Sequence, residues 1–105
     1  MLIDEALKDK REIVISPVAV AETVRGGARD TRINQLLQSA RVPPIGLRLA
    51  RQAGQLLAES GTAAVADAVV MAEALARGPA VLLTSDPEDM RRLAGRRTTV
   101  RVVAV

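Results

Sequence analysis

Residues 63–83 constrain the fold of this chain more than any other stretch. From Ala63 to Arg77 the sequence is apolar nearly all round a helix, with Val65, Val69, Val70, Met71 and Leu75 distributed over its faces. A helix of that kind belongs inside a protein rather than on its surface. Gly78-Pro79 ends it, because neither residue continues a helix without cost. Ala80-Val81-Leu82-Leu83 follows, apolar at consecutive positions, the pattern of an interior strand in a parallel sheet. A buried helix leading directly into a two-faced strand points to an α/β arrangement.

The remaining elements read consistently with that start. Residues 2–10 read as a short helix with charges on one side, and Glu12-Ile13-Val14-Ile15 as a short β-branched strand. Ser16-Pro17 opens a helix, with Ser16 as N-cap and Pro17 at the first helical position, and Gly26-Gly27 stops it. A second helix is expected from about Arg29 to Ala40, where Ile33, Leu36, Leu37 and Ala40 share one face. Val42-Pro43-Pro44-Ile45 is extended, since each proline disfavours helix in the residue before it. Another helix covers about Leu47 to Glu59 and ends at Ser60-Gly61, and Thr62 caps the apolar helix that follows. After the buried strand, Ser85-Asp86-Pro87-Glu88 starts a short helix ending near Gly95, and Thr99 to Val105 is a final strand. Strands separated by helices predict an α/β fold, a three-layer parallel sheet flanked by helices. The 105 residues read as a single domain, 1–105, without a linker.

Composition narrows the chemistry. The chain has no Phe, Tyr or Trp, so its core is assembled from Leu, Val, Ile, Ala and Met. A chain of this size buries about 60–70% of its unfolded surface. It has no Cys and no His, which removes disulfides, thiolate and imidazole metal sites, and histidine-based triads. Any metal would be a hard cation held by carboxylates, Mg²⁺ or Mn²⁺. No apolar run is long enough to cross a membrane and the N-terminus lacks a basic leader pattern, so a cytoplasmic location is expected. The net charge of +3 permits an anionic partner without demanding one.

Three acids stand out on this map. Glu22 lies in the helix after the first strand, Asp67 in the first turns of the most apolar helix, and Asp86 directly after the buried strand. In open α/β sheets, sites form beyond the carboxyl ends of the strands. Asp67 sits among Ala64, Val65, Ala66, Ala68, Val69 and Val70, where an unpaired carboxylate costs several kcal/mol. A divalent cation would satisfy it; so would backbone N–H groups of the helix's first turn. Asp86 before Pro87 also fits an N-cap, and Ser85 with Glu88 fits a capping box. Glu22 fits an exposed helix surface equally well. Glu88 and Asp89 follow in the next turn as outer-shell or dipole partners. Basic residues come after two of these acids: Arg25, Arg29 and Arg32 after Glu22, and Arg91, Arg92, Arg96 and Arg97 after Asp86. They suit either nucleic-acid phosphates around a metal or a solvated surface. Without aromatic residues, base stacking on side chains is excluded.

The stretch from Ile15-Ser16-Pro17 to Glu22 and Gly26, the stretch Ser60-Gly61-Thr62 to Asp67-Ala68, and Val81 to Met90 with Thr84-Ser85-Asp86-Pro87-Glu88-Asp89 together resemble the PIN domain. The likeness is to the VapC-type toxin ribonucleases of toxin–antitoxin pairs, and it spans essentially the whole chain. It implies an endoribonuclease that hydrolyses RNA phosphodiester bonds with Mg²⁺ or Mn²⁺. It also implies a homodimer and inhibition by a cognate antitoxin. Glu22, Asp67 and Asp86 match the family's second, third and fourth acids, and Asp89 is a further metal-ligand candidate. Arg25, Arg29, Arg91 and Arg92 would contact RNA.

Two features depart from the family's pattern. PIN domains open with a strand ending in an Asp well before the Glu, whereas 21 residues precede Glu22 here. Leu2-Ile3-Asp4 superficially resembles that opening, but the spacing from Asp4 to Glu22 is too short for the usual helices, so Asp4 is not carried over. The expectation is therefore that the first strand, central to the sheet, is missing, leaving strand edges unpaired. Some relatives also carry an Asp at the position held here by Ala64. Two functional readings follow: a metal-dependent ribonuclease, or a non-catalytic PIN-like protein that binds an antitoxin or another chain. A nucleotide binder is disfavoured, because Arg25-Gly26-Gly27 ends a helix rather than opening one.

Overall fold

The computed structural model describes residues 13–84 and 86–104. The helix expected over residues 2–10, Asp4, Glu12 and Ser85 of the capping-box reading lie outside them. The described elements are α1 (Pro17–Thr23), a short 3-10 turn (Ala28–Asp30), α2 (Thr31–Ser39), α3 (Leu47–Ser60), α4 (Val65–Ala76), β1 (Ala80–Thr84), α5 (Pro87–Ala94) and β2 (Val100–Ala104). The fold is mixed α/β, with helices around a parallel sheet. β1 and β2 pair in parallel, with Ala80 opposite Val100 and Thr84 opposite Ala104, and α5 makes the crossover between them.

Local chemistry sets the element boundaries. Ser16 is extended and its Oγ accepts the Val18 N–H at 3.2 Å, with Pro17 starting α1. Gly61 ends α3 in the left-handed region (φ 73°), its N–H donating to the Leu57 carbonyl at 3.0 Å. Thr62 acts slightly before its expected place: its Oγ1 accepts the Ala64 N–H at 3.0 Å, and α4 begins at Val65. The β-branched run at 13–15 forms one parallel bridge, Val14 to Arg41, rather than a ladder. The prolines explain this. Pro17 follows the run on one side, and Pro43-Pro44 follows Arg41 on the other, so both chains run out of N–H donors.

The core lies where α3, α4 and α5 meet, and Leu56, Met71 and Leu93, one from each helix, are its largest fully buried side chains. Small residues fill the spaces between them: Ala53, Ala68, Ala72 and Ala94. Met71 and Met90 are buried among them, and methionine's unbranched, flexible side chain adapts to irregular spaces. Val100 is buried in this core, and Ala80, Leu82 and Val102 pack against it. These alternate positions give one face of the sheet to the helices. On the opposite face Val81 is 41% exposed and borders, with Leu83, a groove of about 1260 Å³ whose other walls include Ala19, Ile33 and Leu36. No helix among the described residues is long and apolar enough to cross a membrane.

Candidate metal centre

The acids converge beyond the carboxyl end of β1. Asp67 stands in the first turn of α4, Asp86 two residues after β1, and Asp89 in the first turn of α5. Each offers a carboxylate oxygen, and these oxygens all lie within 4.8 Å of one another. Asp67 and Asp89 are half-buried and Asp86 is exposed. Burial raises the Asp67 carboxyl above the ordinary carboxylate value, and the negative charges of Asp86, Glu22 and Asp89 push it further in the same direction. Glu22 is exposed near the end of α1. It does not share the 4.8 Å cluster, but it is close enough for its charge to act on Asp67.

Alternative roles for two of these acids can be read from their hydrogen bonds. Asp86 occupies the N-cap position of α5 without making a side-chain capping bond. The turn is closed from the other direction, by the Asp86 N–H donating to Thr84 Oγ1 at 3.0 Å, which leaves the Asp86 carboxylate open. At the start of α4 the N-cap position is held by Ala64, whose side chain makes no capping bond, and Asp67 stands in the first turn. The four orphan N–H groups of that helix start are served in part by Thr62. These acids therefore stand close together with few internal partners, an arrangement that repels itself without a counter-charge.

The donor set is all oxygen, from carboxylates projecting off two helix starts and a strand end. That set suits a hard divalent cation such as Mg²⁺ or Mn²⁺. Among the described residues, Asp67, Asp86 and Asp89 could hold one directly, with the charge of Glu22 acting on Asp67 from outside their cluster.

The arginines are placed less uniformly. Arg25 folds back on its own helix end, its Nη1 donating to the Ala21 and Val24 carbonyls at 3.2 and 3.0 Å. Arg25, Arg29 and Arg32 border a shallow pocket of about 360 Å³ beside α1. Arg91 reaches the Val102 carbonyl at 3.5 Å, and Arg92 lies 3.9 Å from Asp89, one turn back. Arg97 pairs with Glu59 at 2.9 Å.

Two buried acids play parts that the sequence pattern did not single out. Asp30 is 4% exposed, and its carboxylate accepts the Arg25 and Gly26 N–H groups. It thereby clamps the loop where Gly26 and Gly27 take positive φ, just past Glu22. Glu73 is 8% exposed, on α4. Its Oε1 accepts the Ser16 hydroxyl at 2.8 Å, while Oε2 is buried without a partner. An Asp soon after a Gly-Gly pair, and a Glu inside an otherwise apolar helix, were the only signals in the sequence for either.

Compared with known families, residues 1–96 match the family model of the PIN domain. No curated protein and no solved structure matches the chain.

Proposed function

The chain belongs to the PIN-domain family, whose members are generally nucleases, and from that premise we propose that it is a metal-dependent endoribonuclease of the VapC toxin type. The observation that carries the proposal is the cluster of Asp67, Asp86 and Asp89, with carboxylate oxygens within 4.8 Å of one another and the charge of Glu22 felt at Asp67. In this reading Glu22, Asp67 and Asp86 are the catalytic acids, and the same three with Asp89 hold Mg²⁺ or Mn²⁺. A bound cation of this kind makes water nucleophilic at neutral pH and offsets charge developing on a phosphate.

The chain's own residues supply position. Asp67 is placed by the first turn of α4, a helix with five buried residues. Asp86 is held at the strand end by its N–H bond to Thr84. In hydrolysis the oxygen of water bonds to phosphorus, the ester P–O bond breaks, and the departing oxygen takes a proton. Arg25, Arg29, Arg91 and Arg92 are proposed to hold the flanking phosphates, Arg92 by exchanging its contact with Asp89 for one with RNA. Binding rests on charge and hydrogen bonds, so it weakens steeply with salt. A homodimer, a cognate antitoxin and a cytoplasmic location complete the proposal.

The test is cleavage of a single-stranded RNA in Mn²⁺ by the wild-type chain and by Asp67→Asn. Cleavage that Asp67→Asn or EDTA abolishes supports the proposal, and cleavage indifferent to both refutes it. The second reading, a PIN-like protein that binds another chain without catalysis, is favoured by one observation: the open groove along β1. It predicts no cleavage under any of these conditions.

A further inference from the structure

Glu22 stands in the last turn of α1, where the negative end of a helix disfavours a carboxylate. α1 has seven residues, none of them buried, and its last turn carries no basic residue. A helix this short is marginal on its own, so its end needs support from outside. The loop that follows supplies it. Arg25 turns its guanidinium back, Nη1 donating to the Ala21 carbonyl at 3.2 Å and to the Val24 carbonyl at 3.0 Å. A positive charge thereby reaches carbonyls on either side of Glu22 in the sequence, at the end of the helix that favours one. The main chain of Arg25 is held in turn by Asp30, whose carboxylate accepts the Arg25 N–H at 3.1 Å and the Gly26 N–H at 2.5 Å. Two successive N–H groups around one anion form a nest. Gly26 has a φ of 86°, a conformation that glycine adopts without strain. Asp30 occupies the N-cap position of α2, yet its side chain makes no capping bond to that helix. It is 4% exposed, and its carboxylate is taken up by the loop behind it.

Resting on the metal-centre reading, we propose that Asp30 is a positioning residue for Glu22. Asp30 fixes the main chain of Arg25 and Gly26, Arg25 caps the last turn of α1, and the capped turn presents Glu22 to the acids of the metal centre. Every bond in this series joins residues between 21 and 30. Glu22 is exposed, so its place depends on the turn that carries it rather than on burial of its own side chain. An aspartate kept for solubility would face water, and one kept for α2 would cap that helix; Asp30 does neither. The cap also gives Arg25 a role apart from RNA. A guanidinium has five N–H donors, so capping through Nη1 does not use the whole group.

Mn²⁺ affinity in the absence of RNA, read from the EPR signal of the free ion, tests this on the full chain. Glu22→Gln is expected to weaken binding about tenfold, and Asp30→Asn by a similar factor, the low end of the range for groups that orient metal ligands. In a Glu22→Gln background, Asp30→Asn is expected to change the affinity by less than about twofold, because residues that act through one another are not additive. Arg25→Gln discriminates by sign. Removing a positive charge near a cation site strengthens cation binding by simple electrostatics, whereas positioning predicts weaker binding, with partial recovery in Arg25→Lys. Should Asp30→Asn fail to fold in urea denaturation, Arg25→Gln and its double variant with Glu22→Gln carry the same test. The proposal is overturned by stronger or unchanged binding in Arg25→Gln, by no effect of Glu22→Gln, or by an Asp30→Asn effect that persists undiminished in the Glu22→Gln background. A wild-type chain that binds no Mn²⁺, or whose binding Asp67→Asn leaves unchanged, overturns the metal-centre reading itself and this proposal with it.

Discussion

Asp67→Asn separates a cation-binding role for the cluster from a purely structural one, because the two predict opposite signs. With carboxylate oxygens within 4.8 Å, two unit charges repel by about 1 kcal/mol in water and by about 3–4 kcal/mol at an effective dielectric constant of 20. Asp86 is exposed and Asp89 half-buried, so the lower value governs, about 1 kcal/mol for each pair. Removing the charge of Asp67 relieves two such pairs, and Glu22 adds a weaker third. Against this stands the loss of a first-turn acid from α4, about 0.3–1 kcal/mol. The net expectation in EDTA is a gain of about 1 kcal/mol, or about 4–8 °C in Tm for a chain near this size. Wild-type protein should instead gain stability only when Mn²⁺ is added, by about 2.7 kcal/mol at one hundred times its Kd, and Asp67→Asn should lose that response. Differential scanning fluorimetry with and without Mn²⁺ reads both effects. The pH dependence follows from the same charge. The folded-state pKa of Asp67 is raised, so its contribution to metal-free stability is fully present below the unfolded value near about 4. It declines as pH rises through the raised folded value. In EDTA the wild type should lose stability across that window and Asp67→Asn should not. A variant less stable than wild type in EDTA, or one still stabilised by Mn²⁺ to the same extent, would refute the reasoning.

Two further substitutions test the frame around the cluster. Leu56→Ala should cost about 2–5 kcal/mol in urea denaturation, since Leu56 is 1% exposed at the junction of three helices and no aromatic side chain is present to collapse into the space. Asp30→Ala should cost about 1–3 kcal/mol by leaving the Arg25 and Gly26 N–H groups without their acceptor, and amide exchange at Gly26 should rise more than at Leu56.

Much of the helical map was legible because punctuation and periodicity are local. Gly61, Gly78-Pro79 and Gly95 ended elements near where the sequence placed the ends, and the apolar stretch around Met71 is indeed the buried helix. Asp67 and Asp86 could be marked as costly or exposed acids at a strand's carboxyl end, since that argument needs only the neighbours in sequence. What the sequence hid depends on contacts across the chain. Ser16 and Glu73 are 57 positions apart, and no periodicity links them. The open carboxylate of Asp86 was masked by a plausible capping pattern; the hydroxyl of Thr84 took the turn instead. The run at 13–15 has strand propensity throughout, but a ladder needs a partner with donors, and Pro43-Pro44 denies it one.

α4 explains why the cluster and the groove occur in the same molecule. The helix is apolar nearly all round, yet it carries Asp67 and Glu73. Six positions at about 100° each bring these side chains off the helix in different directions. Asp67 leaves from the first turn, where the helix start favours negative charge, and meets Asp86 and Asp89. Glu73 leaves deeper in the helix, where a charge needs partners, and one of its oxygens has only Ser16. That bond does more than satisfy Glu73. α1 has no buried residue of its own, and the Ser16 hydroxyl joins it to α4 while Val18 packs on the core. Glu22 rides on α1, whose opposite end carries that hydrogen bond. The Ser16–Glu73 bond thus joins the helix that carries Glu22 to the helix that carries Asp67.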